Sequence, residues 1–169
     1  MRVLRFLAGC LALMLATGCA YRLGPVNGIA AGEKSVQLNP FSNQTMEPRL
    51  GDAVTTALRR QIQTDGTYKI ATRGGADIIV TGVLTRYDRH ELSFLPNDVL
   101  TVRDFRVSVT AHVVARDVKA GKVLFDQDVK GDALVRVGSD LTSSERQLLP
   151  VLADDLAGKI TELLVDGSW

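Results

Sequence analysis

Residues 104–130 read DFRVSVTAHVVARDVKAGKVLFDQDVK, and their alternation decides the fold. Phe105, Val107, Val109, Ala111 and Val113 take every second position, with Arg106, Ser108, Thr110 and His112 between them. Successive side chains of a strand point to opposite faces, so this period of two describes a strand with one apolar and one polar face. Asp117 to Lys122, with Gly121 inside it, then joins this strand to a partner carrying Val123, Phe125 and Val129, which makes a hairpin. A sheet with one apolar face needs a second layer to cover it.

Two stretches supply that layer. Leu50, Val54, Ala57, Leu58 and Ile62 recur at helical spacing, and Arg49, Asp52, Arg59, Arg60 and Gln63 fall on the other side. This predicts an amphipathic helix of about 16 residues, ended by Asp65-Gly66. Before it, Asn43-Gln44-Thr45 reads as a turn and helix-cap cluster, and Pro48 stands where a first helical turn tolerates proline. Near the C-terminus Thr142 and Glu145 have the spacing of a capping box, and Leu149, Leu152, Leu156, Ile160 and Leu163 repeat every three or four residues. Pro150 lies inside that pattern. A fully interior proline costs about 3 kcal/mol, so a kink or a short first turn is expected there.

The remaining strands are shorter. Residues 34–41 place Val36 and Leu38 on one face and reach Pro40, which suits a sheet edge. A short strand around 68–72 runs into the Gly74-Gly75 turn, and another occupies about 77–87, with contiguous Ile78-Ile79-Val80 as in a strand covered on both faces at one end. The order βα, several strands, then α predicts an α+β fold. It is a two-layer sandwich, two amphipathic helices packed on a mostly antiparallel sheet of about four strands, in a single domain spanning 34–166.

The N-terminus carries a different signal. Arg2 and Arg5 precede an apolar run from Phe6 to Leu15, followed by Ala16-Thr17-Gly18-Cys19. An apolar run of about ten residues suits a cleaved signal and is too short to span a bilayer, which takes roughly 18 or more. The pattern resembles the lipobox of bacterial lipoproteins, in which the cysteine thiol receives a diacylglycerol and the new amino group is acylated after cleavage. Residues 1–18 are then a lipoprotein signal peptide, Cys19 is the lipidated first residue, and 19–33 form a lipid tether. Leu7-Ala8-Gly9-Cys10 also matches the lipobox, but cutting there leaves only a few apolar residues, which places Cys10 inside the signal. The alternative is an ordinary secretory signal with Cys19 as a free thiol, a liability in an oxidising compartment. Ala20 follows Cys19, and in lipoproteins a residue other than aspartate there implies the outer membrane, here on its periplasmic side. A single acyl chain anchors only marginally, so three hold the protein essentially permanently.

Composition excludes several classes. The net charge is +1 over the whole chain, and Arg2 and Arg5 leave with the signal, so the near-neutral remainder has no basic excess for nucleic acid. With Cys19 lipidated no cysteine remains for a disulfide or a metal, and no cofactor motif is present. His90 and His112 have no nucleophile or carboxylate at motif spacing, and the serines sit in turn-like contexts. The chain reads as a non-enzyme.

The internal stretch with binding character runs from Arg86 to Arg106. Arg86, Arg89, His90, Arg103 and Arg106 flank the apolar Leu92-Ser93-Phe94-Leu95-Pro96. Guanidiniums beside apolar groups match an anionic lipid, with phosphates on the forks and chains on the apolar tip. The competing reading is a solvated hairpin whose arginines pair with Asp88, Glu91, Asp98 and Asp104.

Segments along the chain resemble one family. Cys19-Ala20-Tyr21-Arg22-Leu23-Gly24, Pro40-Phe41-Ser42-Asn43-Gln44-Thr45, Glu47-Pro48, Leu58-Arg59-Arg60-Gln61 and Gly66-Thr67-Tyr68 occur in order. Ala76-Asp77 before a strand reaching Gly82, Phe105-Arg106-Val107, Gly121-Lys122-Val123-Leu124 and Ser144-Glu145-Arg146 follow. Together they are similar to lipopolysaccharide-assembly lipoproteins of the LptE type. The resemblance implies a two-helix, four-stranded sandwich that plugs the outer-membrane β-barrel LptD and helps it insert lipopolysaccharide into the outer leaflet. It also implies lipopolysaccharide contacts through basic residues near strand ends, for which Arg86, Arg89, Arg103 and Arg106 are the candidates. Arg136 and Arg146 are the basic residues of the 136–146 stretch. A Pro-Phe-x-Asn-x-Thr segment, a helix, Gly-x-Tyr and an Ala-Asp strand also occur in lipoproteins that activate peptidoglycan synthases and in secretion-complex lipoproteins, which is the alternative function.

Overall fold

The 3.6-residue stripe of Leu50, Val54, Ala57, Leu58 and Ile62 is buried and Arg49, Asp52, Arg59, Arg60 and Gln63 are exposed on helix α1, Leu50–Asp65. The computed structural model describes residues 31–95, 98–136 and 141–167, apart from the side chains of 93–103 and 141–146. The signal peptide, Cys19 and most of the tether lie outside the described residues. Gly66 ends α1 at φ +77°, with its N–H on the Ile62 carbonyl, a left-handed cap that favours glycine. The start of α1 differs from expectation. Its N-cap is Arg49 with no side-chain hydrogen bond, and Pro48 precedes the helix. Asn43 instead ties its own loop: its Oδ1 accepts from the Thr45 N–H at 3.0 Å and the Thr45 hydroxyl at 2.7 Å, and its Nδ2 donates to the Glu47 carbonyl at 2.6 Å.

Strands β1 (Lys34–Leu38), β2 (Ser42–Asn43), β3 (Tyr68–Ile70), β4 (Ile78–Leu95), β5 (Asp98–Asp117) and β6 (Lys122–Arg136) form one sheet. Their order is β3-β1-β4-β5-β6, with β2 beside β4. The sheet is therefore six-stranded and mixed, which corrects the expectation of about four mostly antiparallel strands. The cause is α1. It returns the chain along the sheet between β1 and β3, so both strands run the same way, and a parallel pair requires such a crossover. β1 and β2 are also parallel to β4, whereas β4, β5 and β6 are antiparallel neighbours. β1 is consequently interior, not an edge strand, and Pro40 lies beyond its end. β2 holds two residues, too few for any period to reveal it.

Helix α2, Leu141–Asp166, lies beside α1 on the same sheet face. Of the kink or short first turn expected at Pro150, the separate turn does not occur: the helix is one continuous element through the proline. Pro150 is exposed, so water can replace the backbone bond it forfeits. The capping-box side chains of Thr142 and Glu145 lie outside the described residues, and the helix begins at Leu141. Its buried stripe is Leu148, Leu152, Leu156, Ile160 and Leu164 with Ala153 and Ala157, leaving Leu149 and Leu163 as half-buried flanks. Against it stand Val107, Val109, Ala111 and Val113 of β5, all at most 2% exposed.

Two glycines set the layer spacing. A Cβ on Gly131 of β6 would meet Leu156 Cβ at 2.8 Å and its Cα and N at 3.1 Å, so α2 rests directly on the strand there. A Cβ on Gly82 of β4 would enter the Phe41 ring, whose backbone N–H is in turn held by the Thr55 hydroxyl at 3.0 Å. Tyr68 crosses the core and donates its hydroxyl to the Leu164 carbonyl in the last turn of α2 at 2.9 Å. At the β6 edge, Asp155 accepts the outward N–H of Asp132 at 2.8 Å and Lys159 donates to the outward carbonyl of Lys130 at 2.9 Å.

Asp77 locks the base of the sheet. Its Oδ2 accepts from the Ser35 N–H and hydroxyl, both at 2.8 Å, its Oδ1 lies 2.6 Å from Lys119 Nζ, and its carbonyl accepts from the Val118 N–H at 2.8 Å. One side chain thus joins β1, β4 and the β5–β6 turn. The Lys119 ammonium, followed by the Ser35 N–H and hydroxyl, holds its carboxyl well below the usual range. A depressed acid stabilises the fold above the unfolded carboxylate value and loses that contribution as the pH falls. Stability is therefore expected to decline progressively below about pH 5, and Asp77→Asn to flatten that decline in denaturation midpoints measured across the acid range. Gly131→Ala is expected to cost about 1–3 kcal/mol, because the Leu156 backbone cannot step aside, and urea unfolding reads it directly.

Candidate functional site

The two helices cover one sheet face and leave the other open. Residues paired across antiparallel strands share a face, so the register gives the rows of the open side. They are Val83–His112–Asp128, Arg86–Thr110–Lys130, Asp88–Ser108–Asp132 and His90–Arg106–Leu134. A bulge between Leu84 and Arg86 decides this arrangement. Below it Ile78, Val80 and Leu84 face the helices; above it Tyr87 does, and Arg86 and His90 turn to the open side. Without the extra residue Arg86 would point toward the core layer.

The candidate arginines therefore separate. Arg86 and Arg106 lie on the open face, while Arg89, opposite Val107, lies on the helix side. The side chain of Arg103 lies outside the described residues, as do those of Phe94 and Leu95 in the apolar tip; Leu92 is 47% exposed. Arg86 Nε is 3.9 Å from Asp88 Oδ2, a solvent-exposed pair of little energetic weight. Asp104 pairs with Arg136 at 3.1 Å. The pairing expected within the hairpin is seen for Arg86 with Asp88, whereas Asp104 takes an arginine of β6.

Residues that the pattern alone did not single out complete the face. Leu134 is 68% exposed beside Arg106, and across the β6 edge, in the helix layer, Val151 of α2 is 57% exposed. Between them lies a cleft of about 220 Å³, lined by Leu134, Val135, Arg136, Gln147, Leu148 and Val151. Lys130 adds a cation in the row of Arg86. The signal for the bulge was present: apolar spacing steps from two to three between Leu84 and Tyr87.

Ser108 and His112 on this face are held by carboxylates. Ser108, 1% exposed, donates to Asp132 Oδ1 at 2.6 Å. That bond, with Lys130 and Lys159 adding to it, keeps the Asp132 carboxyl below the usual range despite partial burial. His112 has Asp126 at 3.0 Å from Nε2 and Asp128 at 2.9 Å from Nδ1. The two carboxylates take opposite sides of the ring, so they do not converge on one point, and no metal-ligand cluster occurs among the described residues. No helix among them is long and apolar enough to cross a membrane. The open face thus carries the exposed cations Arg86, Arg106 and Lys130 with the aliphatic Leu134, and the cleft opens at its β6 edge.

Solved structures share this fold. A hypothetical protein from Chlamydia trachomatis matches with TM-score 0.57 at 11% identity, over 80% of this chain and 96% of that one. A Xanthomonas campestris protein matches with TM-score 0.62 at 8% identity, over 86% and 91%. A minor lipoprotein from Acinetobacter baumannii matches with TM-score 0.51 at 17% identity, over 78% and 92%. At these identities the likeness establishes the fold alone. No curated protein sequence matches the chain. The LptE lipopolysaccharide-assembly family model matches residues 33–164, most of the chain and the whole helix-covered sheet up to the last turn of α2, and the protein therefore belongs to the LptE family.

Proposed function

We propose that this protein is an outer-membrane lipoprotein, anchored through Cys19 on the periplasmic side, that fills and helps assemble an LptD-type β-barrel for lipopolysaccharide insertion. The observation that carries the reading is the one-sided sheet. β4 has 18 residues and rises about 60 Å, whereas the 26 residues of α2 cover about 40 Å, so a ribbon of β4 and β5 continues past the helices. A long ribbon with an uncovered polar face suits a lumen lined by polar strands, the usual interior of an outer-membrane barrel. Family membership supports the same destination.

The lipid contact follows from the open-face geometry. Arg86 and Arg106 present guanidiniums at the ribbon, Leu134 gives an aliphatic group beside Arg106, and the cleft with Val151 opens at the adjoining β6 edge. Phosphates on the forks and acyl chain on the aliphatic side is a charge-assisted, amphiphilic mode. Arg89 and Arg103 are the secondary candidates, Arg89 being directed to the helix side. The non-catalytic role that goes with this reading rests on the family.

Affinity-tagged protein from detergent-solubilised outer membranes is expected to bring down a heat-modifiable barrel. Recovery of a peptidoglycan synthase or a secretion complex instead would overturn the proposal. Arg86→Glu and Arg106→Glu are each expected to weaken binding of purified lipopolysaccharide about tenfold, the scale of one charge-assisted hydrogen bond, with Arg89→Glu affecting it less. Equal binding by all variants would remove the arginines from the contact. Cys19→Ala is expected to leave the thermal unfolding of the domain unchanged while releasing it from the membrane fraction and lowering barrel assembly.

A further inference from the structure

The two ends of the sheet differ in where the chain enters. Gly32 donates its N–H to the Thr67 carbonyl and β1 begins at Lys34, so the preceding segment leaves at the end opposite the β4–β5 overhang. The β5–β6 turn occupies that same end. Lys34 Nζ is 3.2 Å from Asp117, and Lys119 Nζ is 2.6 Å from Asp77. The two acids are tucked in, with side chains 12% and 15% exposed, whereas the Lys119 side chain is 82% exposed and Arg116 and Lys122 are exposed as well. Among these cations stand two uncovered valines, Val118 at 50% and Val123 at 37%. The outer surface of the turn is thus cationic and apolar together, the composition of segments that lie in a membrane interface.

We propose that the β5–β6 turn rests on the phospholipid leaflet beside the anchor, with Val118 and Val123 at the headgroup boundary and Arg116 and Lys122 on lipid phosphates. This rests on the lipoprotein reading above. Cys19 stands 15 positions before Lys34, a length of chain that keeps this end near the bilayer. The overhang stands about 60 Å away along β4. Cations within a Debye length of anionic lipid are attracted to it, and the turn offers Arg116 and Lys122.

The full lipidated protein carries the test. With Cys10 removed with the signal and Cys19 acylated, a cysteine introduced at Val118 is the single free thiol. A fluorophore there, in vesicles of phosphatidylethanolamine with phosphatidylglycerol, is expected to be quenched by headgroup nitroxides. The same probe at Met46, which is 99% exposed beside the start of α1, is expected to remain bright. Arg116→Glu with Lys122→Glu is expected to abolish the quenching at position 118. The mass of the N-terminal peptide reports acylation separately. Acylated protein with an unquenched probe at 118, or with equal quenching at both positions, overturns the membrane contact alone. An unacylated Cys19 overturns the anchor reading and this inference with it. Quenching that appears only after a protein partner is added assigns the turn to that partner and also overturns the proposal.

Discussion

Hydrophobic burial in this protein acts on one side of the sheet, and the rest of the structure depends on that asymmetry. Val107, Val109, Ala111 and Val113 need a cover, and the stripes of α1 and α2 provide it. The helices can approach closely only where a side chain is missing, as at Gly131 under Leu156. Once both stripes are spent on this face, no apolar layer remains for the other. Its rows are accordingly built from Arg86, Thr110, Lys130, His112 and the aspartates around them. The binding face is what the core leaves over, and its position follows from the core's.

The residues that carry the family resemblance turn out to be the frame. Phe41 fills the space over Gly82, Asn43 ties its loop, Gly66 closes α1, Tyr68 reaches the last turn of α2, and Asp77 binds three segments at the base.

Legibility in the sequence follows from the same physics. α1 was readable to its last residue because a strong stripe ended at Gly66, and β5 because one face is wholly core. The mixed sheet was not, since strand direction is set by where α1 returns the chain and leaves no trace in alternation. The stripe of α2 was placed one residue off at both ends: Leu149 and Leu163 satisfy the same spacing as Leu148 and Leu164, and only packing distinguishes them. For the site, residue types were legible and sidedness was not. One bulged residue after Leu84 moves Arg86 to the open face and Arg89 to the other.

The tie between α2 and the rim of β6 has a consequence for association between copies. An unpaired strand is a template for the next chain. Asp155 and Lys159 occupy the Asp132 N–H and the Lys130 carbonyl. A neighbouring strand would have to displace a helix to pair along that stretch of β6.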